Sequence, residues 1–417
     1  MGNQSRSPYL IFALSSVLFA PPALSLQRSR ILTIRTKTGS RLYDSPSLLP
    51  TPEASIEVLS KMLAAGGGFV NLVTKGGKAK EQFLELFSRE LSETMPSFSL
   101  SLTADKRPYI QRTDLERSLV KFRDRKSTKG EIYLVVVGPK GAGKSALVAH
   151  VFEGRPGTVV VDINQNSSPQ SIVADILLSC SVRVGDKELS TKQLREPLVK
   201  AMAKKGSPVT IILEMNRGNG DLSTLGAVRS ATKDLAQHAN VIVVLSEANG
   251  ALEFDCNREP RQRVIWVDGF TNEEALSYAK ENDIPLSEDD LQRFFDEVGT
   301  LPVQIDKLHD CFVDEGMSLE DIICAEVKRA RVALVAFPFK KILIALKKSP
   351  DGVNVEDFDG VEERGVLLCS PTHVARYMED NALKYHLPSS EYRLMTNAHK
   401  TALRSYEPPQ ITNATIL

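Results

Sequence analysis

The chain of 417 residues carries 42% apolar and 25% charged residues, a globular mixture that excludes wholesale disorder, a collagen-like fibre and multi-span membrane insertion. At roughly 150 residues per domain, the length predicts two or three domains. Lys plus Arg and Asp plus Glu both number 52, so net charge gives no reason to expect a dominant nucleic-acid or anionic-lipid surface. The balance hides an asymmetry. Residues 1–43 hold Arg6, Arg28, Arg30, Arg35, Lys37 and Arg41 with no acid, which leaves 46 basic against 52 acidic groups in a mildly acidic remainder. The cysteines, Cys180, Cys256, Cys311, Cys324 and Cys369, are odd in number, scattered and without a CxxC pair. That pattern predicts buried free thiols, not a disulfide framework or a zinc site.

Residues 1–25 read as a signal-like leader: the apolar run YLIFALSSVLFA follows Arg6, and Ala23-Leu24-Ser25 offers small residues for cleavage. The run is shorter than the roughly 20 residues that span a bilayer as a helix, and Pro21-Pro22 stops it from extending. Residues 26–50 begin as LQRSRILTIRTKTGSRLY, basic, Ser-bearing and acid-free, the composition of an organelle transit segment, and end as a Ser- and Pro-rich linker. The two targeting signals compete.

Residues 51–107 form a helical region. Thr51 is a helix cap with Pro52 at the first helical position, and Gly66-Gly67-Gly68 ends that helix. A second helix from Lys78 to Met95 places Phe83, Leu84, Leu86, Phe87 and Leu91 in one apolar stripe. Its acids Glu81, Glu85, Glu90 and Glu93 favour packing against protein over an anionic membrane surface. Over residues 108–268, strands predicted at Ile132–Val137, Thr158–Val161, Val209–Leu213, Val241–Leu245 and Val264–Val267 alternate with helices. Their Val- and Ile-rich runs predict an α/β core, a parallel sheet with helices on both faces. Residues 269–335 turn helical, with a capping box at Thr271 and Glu274 and an acidic start at Ser287 to Asp290. Residues 336–417 carry a helix near Phe339–Lys348, a loop at Ser349–Gly352, a helix at Pro371–Asp380 and the hairpin KYHLPSSEYRL turning at Pro388-Ser389-Ser390. Helices followed by a two-stranded wing suggest a winged-helix domain.

The strongest motif is GPKGAGKS, Gly138 to Ser145, preceded by IYLVVV and followed by the apolar stretch ALVAHVF. This is a phosphate-binding loop in its proper strand-to-helix context. Gly138, Gly141 and Gly143 let successive backbone N–H groups converge as an anion nest at a helix N-terminus, and Pro139, Lys140, Ala142 and Ala146 complete the segment around the phosphates. Lys140 is expected at its periphery. Lys144 can reach the β- and γ-phosphates of ATP as a point charge, and the Ser145 hydroxyl can hold one position on Mg²⁺.

Such a site also needs a carboxylate at the end of a neighbouring strand for Mg²⁺, and commonly a second to activate the attacking water. The strand VTIILEMN supplies Glu214 alone. If Glu214 takes the metal position, the favoured reading, hydrolysis lacks its base. If it takes the base position, the metal rests on Ser145 and phosphate. Asn216 can orient a water but cannot take its proton. Ser246, Glu247 and Asn249 end another strand, where a sheet's carboxyl edge faces ligand, and either sense a γ-phosphate or form an ordinary turn. Arg258, Arg261 and Arg263 lie close together, as a γ-phosphate clamp, a finger for a neighbouring subunit, or a solvated basic loop.

Over about Tyr109 to Tyr406 the chain resembles the AAA+-related ATPases of the STAND type, including archaeal-type ATPases and origin-recognition relatives. The resemblance is carried by YIQRTDLERSL before the first strand, GPKGAGKS, the strand ending at Glu214, the polar strand end, GFTNEEAL and VGTLPVQI. It implies that YIQRTDLERSL lies at the adenine, that residues from Gly269 form a lid, and that Gly299 and Pro302 bring the lid toward the nucleotide. The incomplete acidic pair departs from the family's pattern and implies slow turnover.

Three function classes follow: a slow ATPase acting as a regulatory switch, a nucleotide-binding scaffold without turnover, and a DNA-associated ATPase. The first two fit a protein partner or self-association. The third is disfavoured because THVARYMED offers Arg376 but also Glu379 and Asp380, although Lys384, His386 and Arg393 on the wing are basic. Sequons at Asn166 and Asn413 would fit an endomembrane or secreted route. The nucleotide chemistry and the reduced cysteines favour the interior of a mitochondrion or plastid.

Overall fold

The computed structural model describes residues 78–98, 108–164, 167–180, 190–215, 222–245, 254, 260–358, 361–363, 366–368 and 383–406, all within the compact unit Val58–Leu417. The leader, the linker and the helices expected near 52–64 and 371–380 lie outside the described residues. So do Asn216, Ser246, Glu247, Asn249, Arg258, Cys256, Cys369 and both sequon asparagines.

Strands β1 (Tyr133–Val137), β2 (Thr158–Ile163), β3 (Thr210–Met215), β4 (Asn240–Leu245) and β5 (Gln262–Trp266) form one parallel sheet in the order β2-β3-β4-β1-β5. Each expected strand is present within two residues of its predicted ends. Every residue of β1, β3 and β4 is buried, which is why these strands read as unbroken apolar runs and not as alternating ones.

Helices α1 (Lys78–Glu93), α2 (Thr113–Arg123), α3 (Lys144–Phe152), α4 (Pro169–Ser179), α5 (Arg195–Lys205) and α6 (Leu222–Leu235) cover the sheet. On one face Val135, Val161, Leu213 and Val243 pack with Phe87 and Leu91 of α1 and with α4, α5 and α6. On the other, Leu134, Val136, Ile212 and Val244 pack with Leu119 and Phe122 of α2 and with Leu147 and Phe152 of α3. Each such side chain contributes about 1.5–3 kcal/mol when withdrawn from water. The stripe on α1 is thus a protein-packing face, and Glu85 on its other side pairs with Lys204 of α5.

Helices α7 (Asn272–Glu281), α8 (Glu288–Glu297), α9 (Pro302–His309), α10 (Leu319–Ala336), α11 (Lys340–Lys348) and α12 (Asn397–Arg404) follow. The Thr271/Glu274 capping box forms, and Ser287 and Ser318 accept from Asp290 N and Asp321 N. Short strands β6 (Val353–Asn354), β7 (Val361–Glu363), β8 (Val366–Leu368), β9 (Leu383–His386) and β10 (Glu391–Leu394) complete the chain as a three-stranded sheet, β6-β10-β9, and a β7-β8 ribbon. The expected hairpin is β9-β10, turning through Leu387–Ser389, and β6 adds a strand the sequence did not suggest. Phe294, Phe295, Ile305 and Leu334 share one core with Leu343, Leu383, Tyr392 and Leu403, so the α7–α10 helices and the C-terminal elements are one packed body.

The expectation of buried thiols holds for Cys180 and fails elsewhere among the described residues. Cys311 is half-exposed, and Cys324 lies on the outer face of α10, where helical spacing carries it away from buried Ile322 and Ile323. No described helix is long and apolar enough to cross a membrane.

Candidate functional site: a phosphate loop against the entry to α9

β1 delivers the loop Gly138–Gly143 to the carboxyl edge of the sheet, and α3 begins at Lys144. Gly138 stands so close to β5's continuation that a Cβ there would lie 1.9 Å from Val267 O, so only glycine fits. Gly141 has φ +79°, a left-handed geometry that glycine adopts without steric cost. Pro139 and Ala142 are buried, Ala146 is half-buried in the first turn of α3, and Lys140 is exposed at the rim as expected.

The Lys144 side chain is 4% exposed and folds back over the loop, donating from Nζ to Gly138 O at 2.9 Å and Pro139 O at 2.7 Å. Burial pushes its ammonium down to about pKa 7. Ser145 hydrogen-bonds the Glu214 carboxyl at the end of β3, where Glu214 is 4% exposed. Burial raises the Glu214 pKa, the Ser145 hydroxyl opposes this, and the charge of Asp162 adds to the rise. A helix N-terminus, a cation, a hydroxyl and a carboxylate therefore converge at one edge. The hydroxyl and carboxylate are hard oxygen donors of the kind Mg²⁺ takes, and the loop's backbone suits phosphate. The residues present fit the expected MgATP.

Arg112, just before α2, ties this loop to its surroundings. With its side chain 10% exposed, it donates to Ala142 O at 3.4 Å, Asp268 O at 3.1 Å and Gly269 O at 3.0 Å, lies 3.7 Å from Glu274 of α7, and stacks 5.4 Å from the Phe270 ring. Burial lowers its pKa, and the charge of Glu274 opposes this. Tyr109, in the same segment, stacks on His150 of α3 at 3.9 Å and donates to Glu116.

The entry to α9 reaches the loop directly. Val303 N donates to Gly141 O at 3.4 Å, and a Cβ on Gly143 would meet Pro302 at 3.7 Å. Gly299 has φ +131°, which lets the chain turn into Pro302. From the C-terminal sheet, Lys384 Nζ pairs with both carboxylate oxygens of Asp268, at 2.8 and 3.0 Å, and His386 stands edge-on to Trp266 at 5.1 Å.

The structure narrows two of the alternatives left open by the sequence. Arg261 precedes β5 at the amino edge of the parallel sheet, opposite the phosphate loop, where its carbonyl accepts from Tyr133 N and its guanidinium pairs with Glu131. Arg263 lies beside Leu134 in the β1–β5 register, also toward that edge. Neither can clamp a γ-phosphate in its own subunit. The basic residues of the β9-β10 hairpin are engaged within the chain: Lys384 with Asp268, His386 with Ser389, and Arg393 with Glu391. Sequence reading missed Asp162, Arg112 as a tie, and the Asp268–Lys384 pair. Only Arg112 carried a signal, inside the segment YIQRTDL.

Residues 127–253 match the family model described as an AAA domain. A comparison with curated proteins finds no match. Among solved structures, a Walker-type ATPase of Pyrococcus abyssi is similar at 13% identity and a TM-score of 0.47, covering 71% of this chain and 96% of that one. A STAND protein with a tetratricopeptide repeat sensor from Pyrococcus horikoshii is similar at 14% identity and a TM-score of 0.33, with 75% of this chain covered but only 43% of the other. Drosophila ORC bound to DNA is similar at 14% identity and a TM-score of 0.32, covering 77% of this chain and 91% of that one. By the match over 127–253, the parallel sheet and the loop that β1 delivers to α3, the chain carries an AAA-type P-loop ATPase domain.

Proposed function

We propose that this protein binds ATP with Mg²⁺, hydrolyses it slowly and uses the nucleotide as a conformational switch. The observation that carries the reading is the convergence of Lys144, Ser145 and Glu214 beneath the entry to α9. The loop N–H groups and α3's N-terminus would hold the phosphates, and Lys144 would exchange the Gly138 and Pro139 carbonyls for phosphate oxygens. Ser145 and Glu214 would hold Mg²⁺, which supplies charge neutralisation at the β- and γ-phosphates. Turnover is slow because the one carboxylate that β3 offers is already bonded to Ser145, so an acceptor for the water's proton must come from outside β3.

Switching follows from Gly141. Its carbonyl is bonded by Val303 of α9, while its loop forms the nest, so phosphate and lid bear on the same few residues. A ligand that contacts the loop differently with the lid docked and undocked shifts that balance. The C-terminal elements share a core with the lid and would move with it, changing the surface offered to a protein partner or a second copy. Residues 1–43 support an organelle interior as the site of action, to be tested by whether they retain a redirected reporter or secrete it.

The test measures MgATP affinity and phosphate release on the same full-length preparation, with and without Mg²⁺. The reading expects tight binding, slow release, and loss of both Mg²⁺ dependence and turnover in Glu214→Gln. Binding without any release would favour a scaffold, and brisk release that survives Glu214→Gln would overturn the assignment of Glu214.

A further inference from the structure

We propose that Asp162 is a catalytic residue of this ATPase: it supplies the second carboxylate of the phosphate site and takes the proton of the attacking water. This rests on the MgATPase reading above.

Asp162 is the penultimate residue of β2, and in the β2–β3 register it lies directly beside Glu214. Neighbouring strands run about 4.8 Å apart, and registered residues of a parallel pair project from the same face. The alternation along β2 agrees. Val159, Val161 and Ile163 belong to the core beneath α4, whereas Val160 packs on the opposite side with Leu147 and Phe152 of α3. Asp162 shares the face of Val160, and Glu214 shares the face of Ile212 in that same core. Both carboxylates therefore stand on the P-loop side of the carboxyl edge, and the charge of Asp162 is felt at Glu214.

The two acids differ in the way the two roles require. Glu214 is buried and hydrogen-bonded to Ser145, which commits it to the metal side of the site. Asp162 is exposed and open to water. In the step assigned to it, the water oxygen forms a bond to the γ-phosphorus while the bond from that phosphorus to the β,γ-bridging oxygen breaks, its electron pair leaving with ADP. The water proton passes to the Asp162 carboxylate and then to solvent, and the products are ADP and inorganic phosphate. The bland alternative is a solvated acid at a strand end whose effect is only its negative charge. Asp175 on α4 separates the two, because it feels the same Asp162 charge yet sits on a helix and not in the β2–β3 register.

The experiment compares full-length wild type, Asp162→Asn, Asp162→Glu and Asp175→Asn, reading MgATP affinity and phosphate release together. Loss of a general base predicts that Asp162→Asn lowers phosphate release by about 100-fold or more, with MgATP affinity within about twofold of wild type, a thermal midpoint unchanged, and part of the rate restored in Asp162→Glu. Asp175→Asn should release phosphate like wild type. Release within about threefold of wild type in Asp162→Asn, or an equal loss in Asp162→Asn and Asp175→Asn, would overturn the role of Asp162 while leaving the ATPase reading intact. Failure of the wild type itself to bind MgATP would instead overturn the ATPase reading, and this proposal with it.

Discussion

Val303 closes over Gly141: its N–H donates to the Gly141 carbonyl at 3.4 Å, and a methyl group placed on Gly141 would meet Val303 Cγ1 at 2.2 Å. The glycine that shapes the phosphate loop is thus also where the start of α9 packs. Gly141→Ala must both hold a left-handed φ, at about 1–2 kcal/mol, and displace Val303. We expect the folded state to lose about 2–5 kcal/mol in urea denaturation, the sum of the backbone and overpacking costs. Adding Val303→Ala should recover the steric part but not the backbone part.

Arg112 should behave as a structural tie and not as a surface charge. Its truncation leaves the carbonyls of Asp268 and Gly269 without this donor and removes the cation beside Glu274, which keeps its capping-box bond to Thr271 N. Arg112→Ala is expected to cost about 2–4 kcal/mol, measured by equilibrium unfolding. Arg112→Lys should recover little, because a point charge cannot reproduce the forked geometry.

The Asp268–Lys384 pair joins the C-terminal sheet to the junction between β5 and α7. Burial alone would raise the Asp268 pKa, but Lys384 and the Gly269 N–H outweigh it and hold the carboxyl below its ordinary value. Because Asp268 is more than a third exposed, the pair is expected to show a coupling of about 0.5–1 kcal/mol in a double-mutant cycle of Asp268→Asn and Lys384→Met. A coupling near zero would mean that the shared core alone holds the C-terminal sheet in place.

His399 sets an acid limit on the same body. It is 7% exposed, its Nδ1 lies 2.9 Å from Thr396 Oγ1, and its Nε2 has no hydrogen-bond partner among the described residues. Burial pushes its pKa from 6.5 down to about 4. The unfolded chain therefore takes up this proton first as pH falls. The contribution is fully present above pH 6.5 and is lost as pH falls through about 4, up to about 3 kcal/mol in all. Between about pH 7 and pH 4.5, His399→Leu should lose about 2 kcal/mol less stability than wild type in urea titrations.

What could be read in advance followed the range of the interaction involved. β1, β3 and β4 were visible because burial on both faces leaves an unbroken apolar run, and the caps at Thr271 and Ser287 because they are settled within four residues. Gly138 to Ser145 was visible because the nest is local. Strand order is not local, so nothing in the sequence placed Asp162 beside Glu214, and nothing placed Arg261 at the edge away from the phosphate loop. The Asp268–Lys384 pair spans more than a hundred residues and became visible only when the α7–α10 helices and the C-terminal sheet packed as one core.

The central claim is that Lys144 and its loop bind MgATP, and it is tested most directly by measuring MgATP affinity in full-length wild type and Lys144→Ala by calorimetry. Lys144 is the cation whose Nζ lies over the Gly138 and Pro139 carbonyls within the loop. Saturable one-to-one binding by wild type, weakened at least about tenfold in Lys144→Ala, is the predicted result. Equal affinity in the two proteins, or no binding by wild type, would contradict it.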